Sequence, residues 1–150
     1  MNHSGDFYID PYGFRVRPLT ENESAQLHAA LGPVLHDIRV TGAILPDIRE
    51  ETHGEIEGTI SASVYSPLGS GGMGIFVRVE LPLAERVADL ADQVQEWEVE
   101  ELPGHGKSSS WPECPDHPNS HPLSPVTRDG QAIWTCPRTG RRIAAIGELD

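Results

Sequence analysis

Cys114, His117, His121 and Cys136 place four soft or borderline metal ligands within 23 positions of a proline-rich tail, and this spacing restricts what the tail can become. Residues 111–150 offer only Leu123, Val126, Ile133, Trp134, Ile143 and Ile146 as core candidates. A segment this short buries too little apolar surface to order itself without a cross-link or a partner. Zn²⁺ prefers thiolate and imidazole in a tetrahedron. A Cys-x-x-His turn presents both groups to one ion, and a later cysteine on a return strand closes the shell. Asp129-Gly130 is a strong two-residue hairpin turn, and Ala132-Ile133-Trp134 brings Cys136 back beside the first pair. The expectation is a Cys₂His₂ site for structural zinc made by Cys114, His117, His121 and Cys136. Two other arrangements use the same residues. Cys114 and Cys136 form a disulfide, or Cys114, His117 and Cys136 alone bind metal and leave a position open beside Glu113 or Asp116 as general base.

Charge divides the chain at the same place. Residues 1–110 carry 7 basic and 18 acidic groups, and residues 111–150 carry 4 and 5, within a net charge of -12. A surface this acidic repels polyanions, which disfavours nucleic acid and anionic membranes as partners. The join, Pro103-Gly-His-Gly-Lys-Ser-Ser-Ser110, is small, polar and helix-breaking. The expected organisation is an acidic body (1–102), a linker or loop (103–110) and a β module (111–150). No apolar run approaches a membrane span, and the first residues lack a signal-peptide pattern, so the expected location is cytoplasmic.

Within the body, Asp6–Asp10 and Phe14–Arg17 flank Pro11-Tyr12-Gly13, the pattern of a short hairpin. Thr20 and Glu23 form a capping-box pair. Leu27, Leu31, Val34, Leu35 and Ile38 then recur at helical spacing, with Gly32-Pro33 expected to kink or split the helix. Ile60, Ala62 and Val64 alternate, as do Ile75, Val77, Val79 and Leu81, which predicts an antiparallel pair. Leu83, Val87, Leu90, Ala91, Val94 and Trp97 mark one face of a second helix ending near Leu102. The predicted class is α+β, an antiparallel sheet with two helices in the order ββαββα, followed by the C-terminal β module.

The tail, with its Cys-Pro turns at 114 and 136, resembles a zinc ribbon, a small β module in which two Cys-Pro knuckles clamp one structural zinc. The resemblance covers about 40 residues. It departs from the family at His117, which stands as the second ligand of the first knuckle, and at Thr139, which stands where the second knuckle has a cysteine. A ribbon that keeps the fold without the metal is the alternative this departure leaves open. The Cys-Pro-x-His-Pro and Trp-x-Cys-Pro pattern with its Ile-Gly ending also resembles the ends of small uncharacterised proteins of high-GC Gram-positive bacteria, which implies no activity.

Other signals are weaker. Gly69–Gly74 lacks the Gly-Lys-Ser/Thr of a phosphate loop and lies between two strand patterns, so it reads as a hairpin loop. Glu50, Glu51, His53, Glu55 and Glu57 read as a solvated acidic segment, or as a second metal cluster. His28 and His36 read as ordinary surface or boundary histidines. Glu96, Glu98, Glu100 and Glu101 end the second helix as a solvated face or a contact for a basic partner. No Gly-x-Ser-x-Gly elbow is present. The expected function is a non-enzymatic zinc-binding adaptor that contacts another protein. An acidic inhibitor or antitoxin-like DNA mimic, which blocks a basic surface in a salt-sensitive way, is the alternative, and a small metal-dependent hydrolase is the least supported.

Overall fold

The computed structural model describes residues 7–150, so Asp6 of the first hairpin lies outside the described residues. The chain is of the α+β class, with two helices and three small antiparallel sheets. β1 (Tyr8–Ile9) and β2 (Arg15–Pro18) form the expected hairpin. Its turn is held by the Asp10 carboxylate, which accepts from the N–H groups of Tyr12 and Phe14. Two short strands not foreseen in the sequence follow the first helix: β3 (Asp47–Arg49) and β4 (Glu51–His53). Each is only three residues long, too short for alternation to stand out. β4 joins the first sheet, in the order β1-β2-β4, and β3 pairs with β5 (Thr59–Tyr65), which pairs with β6 (Gly72–Arg78). Ile60 and Ala62 face Val77 and Ile75 across that hairpin, and the alternation buries all four.

α1 runs from Glu21 to Thr41 behind a complete capping box between Thr20 and Glu23. It continues through Pro33 instead of splitting there. A proline inside a helix costs about 3 kcal/mol, partly by leaving a carbonyl one turn back without its donor. Here that residue is Ala29, which is exposed and open to water, while Ala30, Leu31, Val34 and Ile38 bury the opposite side. Burying those four side chains offsets the lost bond.

α2 (Leu83–Glu101) is the centre of the molecule. Val87, Leu90, Ala91, Val94 and Trp97 are buried as their spacing predicts, whereas Leu83, in the first turn, is exposed. Two glutamines fix its neighbours. Gln93 Oε1 accepts from Phe76 N–H and its Nε2 donates to Phe76 C=O, which ties the helix to β6. Gln95 Nε2 donates to the carbonyls of Trp111 and Leu123 at 3.0 and 2.6 Å. Residues two apart on a helix point about 200° apart, so the body sheet and the C-terminal segment grip opposite sides of α2. Leu102–His105 form a single 3-10 turn after α2, and β7 (Ser124–Arg128), β8 (Gln131–Thr135) and β9 (Arg142–Ala145) make the third sheet. Asp129 and Gly130 both take positive φ, 51° and 75°, at the two-residue turn joining β7 to β8.

The C-terminal sheet shares one apolar core with the helices, in which Trp111, Cys114, Leu123, Trp134, Cys136 and Ile146 are buried together with Leu27, Val34 and Leu90. Asp37, fully buried on α1, is the polar anchor of that contact. Its carboxylate accepts from Trp134 Nε1 at 2.7 Å, Gly147 N–H at 2.8 Å, Leu149 N–H at 3.2 Å and His36 Nδ1 at 2.9 Å. Gly147 has φ 103°, and a β-carbon there would lie 2.9 Å from Pro33, so only glycine lets the chain reach Asp37 by this route. Replacing Asp37 by Ala strands an indole N–H and two backbone N–H groups, and is expected to cost about 3 kcal/mol in urea unfolding, with a changed Trp134 emission.

Glu98 corrects the reading of the acidic helix end. Glu96 and Glu100 are exposed, but Glu98 is fully buried, with Oε1 accepting from Ile44 N–H at 3.1 Å and Oε2 without a partner. It is neither a solvated charge nor a partner contact. Burial pushes its carboxyl up to about 8, against the lowering effect of the Ile44 N–H and with a further rise from Glu101. A carboxyl raised in the folded state binds a proton that the unfolded chain has released. Its effect on stability therefore worsens as pH climbs from the ordinary value of 4.5 to about 8. Glu98→Gln should match the wild type near pH 5 and exceed it increasingly up to pH 8, by roughly 1 kcal/mol per pH unit, in paired denaturant titrations.

Candidate metal centre

The first knuckle begins where Trp111 and Pro112 are pinned in the core. Leu123 N–H donates to Pro112 C=O at 2.7 Å, and Cys114 N–H to His121 C=O at 3.4 Å, so residues 113–122 close as a loop. Inside it His117 N–H donates to Cys114 C=O at 3.2 Å, the turn that a Cys-Pro-x-His segment adopts. The second knuckle follows β8. Gly140 N–H donates to Cys136 C=O at 2.7 Å, and Cys136 N–H to Arg141 C=O at 2.9 Å. The two loops meet with Cys114 and Cys136 buried and His117 and His121 half-buried.

All four sequence-predicted ligands come together, with one ligand atom from each lying within 4.8 Å of the others. The individual distances are more telling. His117 Nδ1 lies 3.6 Å from Cys114 Sγ, 3.5 Å from Cys136 Sγ and 3.1 Å from His121 Nε2, which is 3.9 Å from Cys136 Sγ. A tetrahedral zinc with Zn–S of about 2.3 Å and Zn–N of about 2.0–2.1 Å has N–N and S–N edges of roughly 3.3 and 3.5 Å. These four separations lie near the N–N and S–N edges that one ion would require. The two cysteines are not bonded to each other in this arrangement.

Neighbouring groups orient the ligands. His121 Nδ1 lies 2.9 Å from Pro122 C=O and donates to it, which leaves Nε2 with its lone pair turned to the cluster. Burial raises the Cys136 thiol. The Thr139 hydroxyl, the N–H groups of Thr139 and Arg138, and the Cys114 thiol more than compensate, and bring it down to about 6. Thr139, which stands where a ribbon carries a cysteine, thus supports the sulfur of Cys136 as a donor. Arg141 joins the two knuckles with a two-pronged contact to Asp116, Nε to Oδ2 at 2.6 Å and an Nη to Oδ1 at 2.7 Å. The guanidinium in turn holds the Asp116 carboxyl below its ordinary value.

The other residues singled out in the sequence are dispersed. Glu50 takes Ser24 and His28, Glu51 takes Tyr8, Glu55 takes Arg17 and His53 takes Asp10, so this acidic segment makes separate surface pairs and no common site. Gly69–Gly71 lie in the β5–β6 hairpin loop. Among the described residues, the Cys/His group is the one cluster arranged to hold a metal ion. Sequence reasoning missed Asp37, Thr41 and Gln95, which carry the centre on the helices. Trp111 Nε1 donates to Thr41 Oγ1 at 2.8 Å, and the Trp111 and Trp134 rings meet edge to face at 5.6 Å. Polar residues at helix positions carry no periodic signal, and their partners in the C-terminal segment lie at least 16 residues away.

Comparison with protein-family models, with curated proteins and with solved structures finds no match to this chain. Among the described residues no helix is long and apolar enough to cross a membrane.

If Arg141 and Asp116 set the spacing of the knuckles, breaking the pair weakens metal retention without touching a ligand. Arg141→Ala and Asp116→Asn should each lower metal affinity about 10-fold, in the range usual for outer-shell partners, as read by chelator competition.

Proposed function

We propose that Cys114, His117, His121 and Cys136 hold one structural zinc ion and that the chain serves as a non-enzymatic adaptor contacting another protein. The carrying observation is that one ligand atom from each of the four residues lies within 4.8 Å of the others, with the three separations from His117 Nδ1 and that from His121 Nε2 to Cys136 Sγ between 3.1 and 3.9 Å, near the N–N and S–N edges of a ZnS₂N₂ tetrahedron. Thiolate and imidazole suit zinc better than Mg²⁺ or Ca²⁺, which take oxygen ligands. Four protein ligands fill the coordination shell, so the ion has a structural role. A metal fixing two loops makes a rigid surface from a segment with little core of its own, which is what a docking module requires.

Protein purified without added metal should contain about one zinc per chain by elemental analysis. A value well below half an equivalent, with both thiols intact, overturns the reading. His121→Ala should loosen zinc by more than the 10- to 100-fold typical of outer-shell losses, and His105→Ala should leave it unchanged, since His105 pairs with Glu101 at the end of α2. Chelation should remove hydrogen-exchange protection from residues 113–122 and 136–141 before it affects Val87–Trp97 of α2.

A further inference from the structure

Phe7, Tyr8, Ile9, Tyr12 and Phe14 are large apolar residues exposed on the β1–β2 hairpin, from 40% at Phe7 to 86% at Tyr12. A fully open side chain of this kind presents about 200 Å², so together they leave roughly 600 Å² in water. Apolar surface on this scale in one place marks an interaction site. The residues divide between the two faces of the hairpin. Tyr8 and Phe14 share one face with the fully buried Val16. Phe7 and Ile9 share the other, where the Arg15 guanidinium lies 4.1 Å over the Phe7 ring.

Between these faces runs an open strand edge. Asp10 N–H donates to Phe14 C=O at 2.8 Å, which makes Asp10 and Phe14 a hydrogen-bonded pair. Bonded and non-bonded pairs alternate along an antiparallel ladder. Tyr8 therefore turns its N–H and C=O toward Val16, and Phe7 and Ile9 turn theirs away from β2. The sheet order is β1-β2-β4, with no strand outside β1 among the described residues. The edge of β6 is treated differently, since the Gln93 amide takes both the N–H and the C=O of Phe76. Such a plug denies that edge to another strand, whereas β1 keeps its edge open.

We propose that the β1 edge pairs with the β1 edge of a second copy of this chain about a two-fold axis. Tyr8 then stands opposite Tyr8 of the second copy, Ile9 exchanges backbone bonds with Phe7 of the second copy, and the two small sheets run on as one. An edge laid antiparallel on itself is self-complementary, as a two-fold interface must be. Two such patches bury on the order of 1,200 Å², the lower end for a specific interface, which sets a weak dimer. Charge selects the same occupant. Residues 7–18 carry Arg15 and Arg17 against Asp10 alone, in a chain of net charge -12, so two acidic copies can approach through this segment. Arg17 ties the hairpin to Glu23 at the start of α1, and Asp37, which anchors the C-terminal sheet, lies about 20 Å further along that helix. The dimer carries two C-terminal modules with the seam away from both. The inference takes nothing from the metal or the adaptor reading.

The test is sedimentation equilibrium of the full chain from micromolar to millimolar concentration. A monomer–dimer equilibrium with a micromolar Kd is expected, and it should tighten as salt is raised, because screening weakens the repulsion between two acidic bodies. Ile9→Lys, which sets a charge on the edge, should weaken the dimer about 10-fold or more. Ile9→Val should keep it, and Leu68→Lys, exposed in the β5–β6 loop, should leave it unchanged. Wild-type amide shifts outside residues 7–18 show that the lysine variant is folded. Tyr8→Cys should join two copies through the introduced thiols on mild oxidation, and Leu68→Cys should not. A chain that stays monomeric at millimolar concentration, a dimer indifferent to Ile9→Lys, a dimer loosened by salt, or cross-linking as strong at Leu68 as at Tyr8 would each overturn the proposal. Uptake of the monomer onto phosphatidylcholine vesicles through the same hairpin, without self-association, would also overturn it and give the patch to lipid.

Discussion

Asp37 holds the C-terminal sheet against α1. A carboxylate with no solvent exposure is costly unless its lone pairs are filled, and here an indole, a histidine and two backbone N–H groups fill them. Three of those donors come from the last 17 residues, so the carboxylate on α1 specifies where the C-terminal sheet must lie. An apolar contact alone would tolerate sliding, because burial has no direction. The hydrogen bonds of Asp37, Thr41 and Gln95 give the interface its register, and the edge-to-face pair of Trp111 and Trp134 fills the space between them.

The candidate metal centre inherits its geometry from that docking. Pro112 and Leu123 are bonded across the base of the first loop, and Trp134 stands two residues before Cys136 on β8, so each knuckle springs from a residue already fixed in the core. The cysteines face inward and are fully buried, while the histidines lie at the surface side of the cluster. Asp116 and Arg141 then tie the loops to each other from outside. The centre is thus supported on one side by packing and on the other by a charge-assisted pair, with Thr139 supplying a hydroxyl in the place where a ribbon has a fourth ligand.

Acidity is distributed for more than one purpose. Most carboxylates stay at the surface and many find cations, as Glu23 does with Arg17 and Asp116 with Arg141. Asp37 and Glu98 are the buried exceptions, and Glu98, which lies under the loop that follows α1, differs from Asp37 in keeping one oxygen without a partner. Its neighbours in sequence, Glu96 and Glu100, point to water: helix geometry turns them to the other side, and the packing of the loop after α1 decides that the Glu98 side is the buried one. A run of glutamates read without that period looks like a single charged surface. The helix divides it into exposed and buried residues.

The sequence by itself determined the local elements and the Cys/His cluster. The capping box at Thr20, the alternation of Ile60, Ala62 and Val64, the apolar stripe of α2, the Asp129-Gly130 turn and the four Cys/His positions all carry their meaning within a few residues, because dihedral preference and periodicity are local properties. Only the tertiary structure decided that Pro33 could remain inside a helix, that β3 would join β5 and β4 would join β2, that Glu98 would be buried and that the C-terminal sheet would rest on Asp37 and Gln95. Each of these depends on a partner far along the chain. The energy that settles them is burial and hydrogen bonding gained across that distance, and neither leaves a pattern in neighbouring residues.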